Sequence, residues 1–390
     1  MDFALAEHQR LMLDTARQIG REYGLAYWRD IDRDRRFPAE AWKAICRAGL
    51  CGVALPEHHG GAGLGMLDLA LVIEALTEGG AGATLAQVFM INPIFGGVAL
   101  SRFATDAMRE RYLPRIVSGD MNCCMALTEP DAGSNTLEMR SFASRDGDGW
   151  RLDGRKIWIT AVPDAEKMLV VARTKTVAES SRRTDGISMF FIDVDRAGLT
   201  HTPIEKVGTN TLSSSTVFFD GVRIEPHELV GTLHGGWNEL LHVLNTERIV
   251  TTAGLVGAAR LALRLAAEYG ATRKVFNDRP IAAYQGLQFP LARASAEIEA
   301  ASTLNLKAAW KCDQGLAYGS EANMAKVVAA RAANEAIERA MQTHGGMGYA
   351  KEFHIERLWR DARLFLFAPV SEEMILNFIA VHDLGMPRGY

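Results

Sequence analysis

The hydrophobic period changes twice along this chain, and few folds accommodate both changes. Up to about Met121 apolar residues recur three and four apart. "LVIEALTEGG" (Leu71–Gly80) and "DAMRERYLPRIVSG" (Asp106–Gly119) show this, each ending in glycine where a helix would stop. From about Asn122 to Val230 the texture is strand-like, in "WRLDGRKIWIT", "KMLVVART", "GISMFFIDV" and "STVFFDGVRIEP". Asp153-Gly154 and Asp220-Gly221 there read as turn signals. From about Gly235 onward come long Ala-rich helical stretches, "GLVGAARLALRLAAEYG" and "EANMAKVVAARAANEAIERAMQTHGG", with spacing that suits a bundle. The expectation is an α+β protein. An N-terminal α-helical domain (residues 1–121) precedes a middle β-sheet domain of barrel-like form (122–232) and a C-terminal α domain like a four-helix bundle (233–390).

Composition excludes several classes of function. With 48% hydrophobic and 23% charged residues, the balance is that of an ordered globular protein. A net charge of −4 offers no overall basic character, so nucleic acid is not an expected partner. Any anionic ligand must then be held by local arginines or backbone N–H groups. The five cysteines include no C-x-x-C pair, and vicinal Cys123-Cys124 is a poor disulfide candidate. No metal-ligand spacing is visible, so no metal is expected and a reducing cytoplasm is the expected location. "MDFALAEHQR" lacks the apolar core of a signal peptide. No run is read as reaching the roughly 18 apolar residues of a membrane span, so no membrane partner is expected.

Two glycine runs, "HHGGAGLG" (His58–Gly65) and "HGGMGY" (His344–Tyr349), do not complete G-x-G-x-x-G and do not sit between a parallel strand and a helix. The first reads as turn glycines with His58-His59 in a surface loop. The charge run "RDIDRDRR" (Arg29–Arg36) reads as a solvated helix end. "CCMALTEPDAGSNT" (Cys123–Thr136) is more informative. Pro130 stops a strand, Gly133 lets the backbone approach a ligand, and Thr128 and Ser134 offer hydroxyls. Such a turn can present N–H groups to an anion or to a polar heteroaromatic edge. Composition alone leaves an ordinary turn equally open.

"MALTEPDAGSNT", followed some two dozen residues later by "LDGRKIWIT", resembles the flavin-binding signature of the acyl-CoA dehydrogenase family. "LPEHHGGAG" resembles that family's N-terminal turn, "RKVFNDRPIAAYQ" its dimer-contact helix and "QTHGGMGY" its second glycine motif, all in the family's order. The resemblance spans essentially the whole chain and implies FAD. It places Leu127 and Thr128 at the pyrimidine edge of the isoalloxazine, Ser134 by the pyrophosphate or the acyl-thioester arm, Trp158 against the flavin and Thr160 near its N5. It implies that Arg273, Gln285, Gln342, Gly345 and Gly346 reach the FAD of a neighbouring subunit. The active unit would then be at least a dimer, and a homotetramer built as a dimer of dimers is implied.

The chemistry implied needs a carboxylate that removes the proton α to a thioester, one that works best when partial desolvation raises its pKa. In "LLHVLNTERIVTTAG", Glu247 lies four residues after Val243, three after Leu244 and three before Val250, so a helix puts it on an apolar face. A charge there is expensive without work or a partner. Its neighbour Arg248 points elsewhere, because adjacent helix residues diverge. The family carries its base either in a C-terminal E-G-T-like segment or, in the isovaleryl-CoA and long-chain members, on this helix. Here the C-terminal segment reads "LFAPVSEEM", with Pro369 at the usual base position, which favours Glu247. The alternatives are a structural glutamate, or a base at Glu372 or Glu373. Ser371, Glu372 and Glu373 are expected along the flavin side. Pro369 lacks the N–H that in the family helps polarise the thioester oxygen. Asn245 and, one turn on, Arg248 resemble positions at the pantetheine arm; a solvent-exposed asparagine is the alternative for Asn245.

The sequence therefore reads as a cytoplasmic FAD-dependent acyl-CoA dehydrogenase of fatty acid metabolism that passes electrons to an electron-transferring flavoprotein. Two alternatives remain open. One is a related flavoenzyme acting on a carrier-protein thioester or using oxygen. The other is a flavin-binding protein with little dehydrogenase activity.

Overall fold

The computed structural model describes residues 4–389. Seven helices come first: α1 (Glu7–Glu22), α2 (Leu25–Asp34), α3 (Ala39–Arg47), α4 (Met66–Leu76), α5 (Thr84–Phe89), α6 (Ala99–Phe103) and α7 (Asp106–Ser118). Gly119, at φ 74°, ends α7 as its sequence suggests. Between α5 and α6 the chain stays helical but widens to a π-helix over Met90–Val98, with Pro93 inside. Proline has no N–H and crowds the carbonyl four residues back, and a wider turn steps round both faults. This π-helical stretch packs against both the first strand of the sheet and the long helix α8 (Gly236–Thr272). It thus borders the region between the two segments that carry the candidate site.

Eight strands form one mixed sheet: β1 (Cys123–Ala126), β2 (Phe142–Asp146), β3 (Gly149–Thr160), β4 (Lys167–Arg173), β5 (Ile187–Asp193), β6 (Leu199–Pro203), β7 (Ser214–Ile224) and β8 (Leu229–Val230). Their order is β6-β7-β3-β2-β4-β5-β8, with β1 parallel to β4. The sheet is open, so the barrel-like expectation holds for the strand content and not for closure. The period-2 alternation of β4 and β5 divides two cores. Leu169, Val171, Met189 and Phe191 join the helical core, whereas Met168, Val170, Ala172, Phe190 and Ile192 join the sheet's own. The two Asp-Gly pairs are not hairpin turns. They lie inside β3 and β7, where the register shifts between Leu152 and Gly154, and Asp153 accepts a hydrogen bond from the Gly221 N–H at 2.8 Å. Gly154 (φ 149°) and Gly221 (φ 59°) let both strands bend together.

Helices α8, α9 (Gln285–Asp313) and α10 (Gly319–His344) pack on one another, with α11 (Ile355–Arg363) and α12 (Glu372–His382) completing the helical unit. Helix α8 is buried nearly all round because it also packs on α4 and α5. Both α8 and the Thr84–Phe103 rod are, by length and composition, long and apolar enough to cross a membrane, contrary to the reading of the sequence. Their apolar windows are 78% and 89% buried inside the protein, respectively, which makes them core helices. Two local expectations are also corrected. His59 is buried, its ring tilted against that of His58 with centroids 4.1 Å apart, and is not a surface residue. "RKVFNDRPIAAYQ" is not a helix. It forms a small hairpin, Lys274–Val275 against Arg279–Pro280, with Phe276, Asn277 and Asp278 all at positive φ, before α9 begins at Gln285. Asn and Asp tolerate that region, which places the reversal there.

Candidate active site

The loop after β1 is held by β3. The Ile157 N–H donates to the Thr128 carbonyl at 2.9 Å, which lays Leu127 to Glu129 along the strand. Lys156, fully buried, donates from Nζ to the Leu127 carbonyl at 2.8 Å and to Glu129 Oε1 at 2.9 Å. Glu129 also accepts from the Arg140 N–H (2.6 Å) and the Ser141 N–H (2.9 Å). Burial pushes the Glu129 carboxyl up. The charge of Lys156 and these donors overcome it and hold the group below the usual range. The sequence reading did not single out Lys156 or Glu129. A lysine among the alternating apolar positions of β3 is the signal that could have found the pair.

Trp158 stands where β3 and β7 slip register again, between Lys156 and Ile159. Its φ of 61° breaks the alternation, so that Ile159 is buried while the indole is 54% exposed and, among the described residues, meets no other aromatic ring. A bulge re-aims a side chain in this way. Thr128 and Thr160 are half-buried and Ser134 is exposed. Among the described residues none of these three hydroxyls bonds within the protein, and space is open beside Gly133. An exposed indole, together with unpaired hydroxyls on the same strand and the loop it holds, fits a flat heteroaromatic cofactor with a polar tail.

Glu247 faces inward from α8, 4% exposed. Among the described residues its carboxylate takes part in no hydrogen bond or ion pair. Burial raises its pKa to about 8, and the charges of Arg248 and Lys326 only partly oppose this. Arg248 is held by a hydrogen bond to Asn245 Oδ1, and its Nε is buried without a partner. Asn245 is therefore half-buried and engaged, not solvent-exposed. One turn beyond Glu247, Thr251 Oγ1 donates to Met90 Sδ of the π-helical stretch at 3.5 Å. Lys326 of α10 is fully buried and donates to the Val370 carbonyl at 2.7 Å. Lys326 was also missed, although it sits between Ala322 and Ala330 on an apolar face, the same pattern that exposes Glu247. Beside Pro369 and Val370, Ser371 spends its hydroxyl capping α12, accepting from the Met374 N–H at 3.3 Å. Glu372 is tied to Arg331, while Glu373 is exposed.

The remaining cofactor candidates lie elsewhere in the chain. Arg273 caps α8 about seven turns beyond Glu247, roughly 39 Å along the helix at 1.5 Å per residue. Tyr269 stacks on His344 at 4.4 Å, which gathers Arg273 and the Gln342, Gly345 and Gly346 turn at this end. Gln285 opens α9 just past the hairpin that pairs back to Arg273. All five are exposed. The length of α8 thus sets Arg273 apart from Glu247.

Models of the N-terminal, middle and C-terminal domains of acyl-CoA dehydrogenase match residues 6–120, 124–222 and 234–382. The chain belongs to the acyl-CoA dehydrogenase family. It is 38% identical to an acyl-CoA dehydrogenase of Mycobacterium tuberculosis over 98% of this chain and 97% of that one. Its fold matches a glutaryl-coenzyme A dehydrogenase bound to glutaryl-CoA, with a TM-score of 0.95 and 28% identity over 100% of this chain and 98% of that one. It also matches a prolyl acyl carrier protein oxidase, with a TM-score of 0.92 and 25% identity over 98% of this chain and 100% of that one. The family is one of FAD-dependent oxidoreductases, and FAD fits the Trp158 plane and its free hydroxyls.

Proposed function

We propose that this acyl-CoA dehydrogenase introduces an α,β double bond into an acyl-CoA thioester with Glu247 as its base, and hands the electrons to an electron-transferring flavoprotein. The observation that carries the reading is an unpaired carboxylate buried on α8, with a pKa of about 8. Such a group takes a proton from carbon without first breaking a competing bond. Removing the α-proton leaves its electron pair to form the new double bond as the β-hydrogen departs with its own. FAD, when bound, supplies the acceptor for that hydride. Leu127, Thr128, Ser134, Trp158 and Thr160 would hold the FAD of the same chain, with Ser371 and Glu373 bordering it. Asn245 and Arg248, bonded to each other, would line the thioester's approach.

The roughly 39 Å between Glu247 and Arg273 supports assigning Arg273, Gln285, Gln342, Gly345 and Gly346 to the FAD of a second copy, and hence a homo-oligomer. On this reading the working unit is a dimer or a dimer of dimers in the cytoplasm, divided near residues 121 and 232. The test is anaerobic titration of the FAD-loaded protein with acyl-CoA thioesters of graded length and branching, followed by the bleaching of the flavin absorption. Bleaching by one chain class, lost in Glu247→Gln, supports the proposal. The carrier-protein reading draws on the oxidase neighbour. It replaces the proposal if only carrier-bound thioesters bleach the flavin.

A further inference from the structure

The role of Lys326 is not accounted for by the reaction as described. It lies on α10, which packs against both α8 and α12. It is fully buried, yet its ammonium finds one acceptor among the described residues, the Val370 carbonyl at 2.7 Å. That carbonyl belongs to the turn that carries Pro369 and leads into the cap of α12 at Ser371. An ammonium has three protons to give, and burying it with one partner is costly unless nearby charge compensates. The charged groups that act on it are Glu247 and Arg248 of α8, and Glu372 and Glu373 of α12. Of these, Glu372 is committed to Arg331, Arg248 is a cation bonded to Asn245, and Glu373 is exposed. Glu247 is the buried carboxylate that no other side chain claims.

We propose that Lys326 is a positioning residue of this site: its ammonium ties the Pro369–Ser371 turn to α10 and supplies the positive charge that faces Glu247 from outside its own helix. The proposal rests on Glu247 being the base. Val370 anchors Lys326, so the cation stands near the carboxylate without closing an ion pair with it. A closed pair would hold the carboxylate ionised but occupied; no cation at all would leave burial unopposed. Burial lowers Lys326 to about 8, with Arg248 adding to the fall and Glu372, Glu247 and Glu373 opposing it. The Glu247 carboxyl, raised to about 8 by burial, is held from rising further by Arg248 and Lys326. Removing the lysine charge favours the protonated base, and the working pH moves upward.

Two variants separate the hydrogen bond from the charge. In Lys326→Gln the amide still donates to the Val370 carbonyl but the charge is gone, and in Lys326→Met both are gone. Each is compared with the parent for FAD retention, for the pH profile of flavin bleaching by an accepted thioester, and for the titration of the Glu247 carboxyl band in infrared difference spectra against Glu247→Gln. Lys326→Gln is expected to keep FAD while both midpoints rise by about one pH unit, a roughly tenfold loss of ionised base near pH 7. Lys326→Met is expected to show the same rise and, because the turn is released, a raised KM as well. An unchanged infrared midpoint in a Gln variant that retains FAD overturns the proposal. A Gln variant that neither folds nor binds FAD makes Lys326 a folding residue and overturns it too. The infrared titration needs no substrate, so it stands even if no acyl-CoA bleaches the flavin and the functional reading fails.

Discussion

Two buried glutamates, each near a fully buried lysine, meet opposite fates in this molecule. Glu129 touches Lys156 at 2.9 Å and accepts two backbone N–H groups besides, so it stays ionised and locks the loop after β1 to β3. Glu247 has Lys326 nearby, but that lysine gives its hydrogen bond to Val370, and the carboxyl is left unpaired at a pKa of about 8. The same residue types thus build a clamp in one place and a proton acceptor in the other. Direct contact makes the difference. A paired carboxylate is stable and inert, whereas one that is desolvated and unpaired is costly and reactive.

The largest effect that would break this comparison is on rate. Glu247→Gln should slow flavin bleaching by thioester about 10²–10⁴-fold while FAD absorption is kept, as a lost general base requires. Full activity in that variant would return the base to Glu372 or Glu373. Next is Lys156→Met, which strands Glu129 as an uncompensated buried charge. Unfolding by denaturant should show a loss of about 3–5 kcal/mol, with FAD released early as the Leu127 to Glu129 loop loosens.

The same Glu→Gln change should then have opposite signs at the two sites. The Glu247 pKa is raised on folding, so the native state holds a proton that the unfolded chain releases above its ordinary value near 4.5. That penalty is absent at acid pH and grows until pH passes about 8. Glu247→Gln should therefore stabilise the cofactor-free protein by about 2 kcal/mol or more at pH 8, and by little at pH 4.5. The Glu129 pKa is lowered, so its contribution is present above the ordinary range and is lost as pH falls through the folded value. Glu129→Gln should destabilise by about 1.5–3 kcal/mol at neutral pH, and the deficit should close on acidification. Thermal unfolding followed from below the ordinary carboxylate range up to pH 8 reads both curves, and parallel curves would show that pairing does not distinguish the sites. The smallest effect belongs to Trp158→Ala. Being exposed, it should change fold stability by no more than about 0.5 kcal/mol. FAD retention, followed by the fluorescence of released flavin, should weaken several-fold, by about 1 kcal/mol of lost stacking.

Much of this was legible in the sequence because it depends on local pattern. The changes of period marked the helical and strand regions, since side chains repeat every 3.6 residues on a helix and every two on a strand. Glu247 showed itself by standing on an apolar stripe. Other features were misread because local rules met tertiary competition. Asp-Gly favours a turn, but here Gly154 and Gly221 sit at a register slip between β3 and β7. Two helices are longer and more apolar than the sequence reading allowed, and both lie mostly inside the protein.

What the sequence determined by itself is therefore the type and order of the elements, and which carboxylate bears an unusual burial cost. Only the tertiary structure decided which buried charges touch. Lys156 and Glu129 are far apart in the chain, as are Lys326 and Val370, and neither pairing has a periodicity that could announce it. Coulomb and hydrogen-bond energies fall steeply over a few ångströms, so whether a glutamate becomes a clamp or a base is settled by packing at a scale that sequence spacing does not encode.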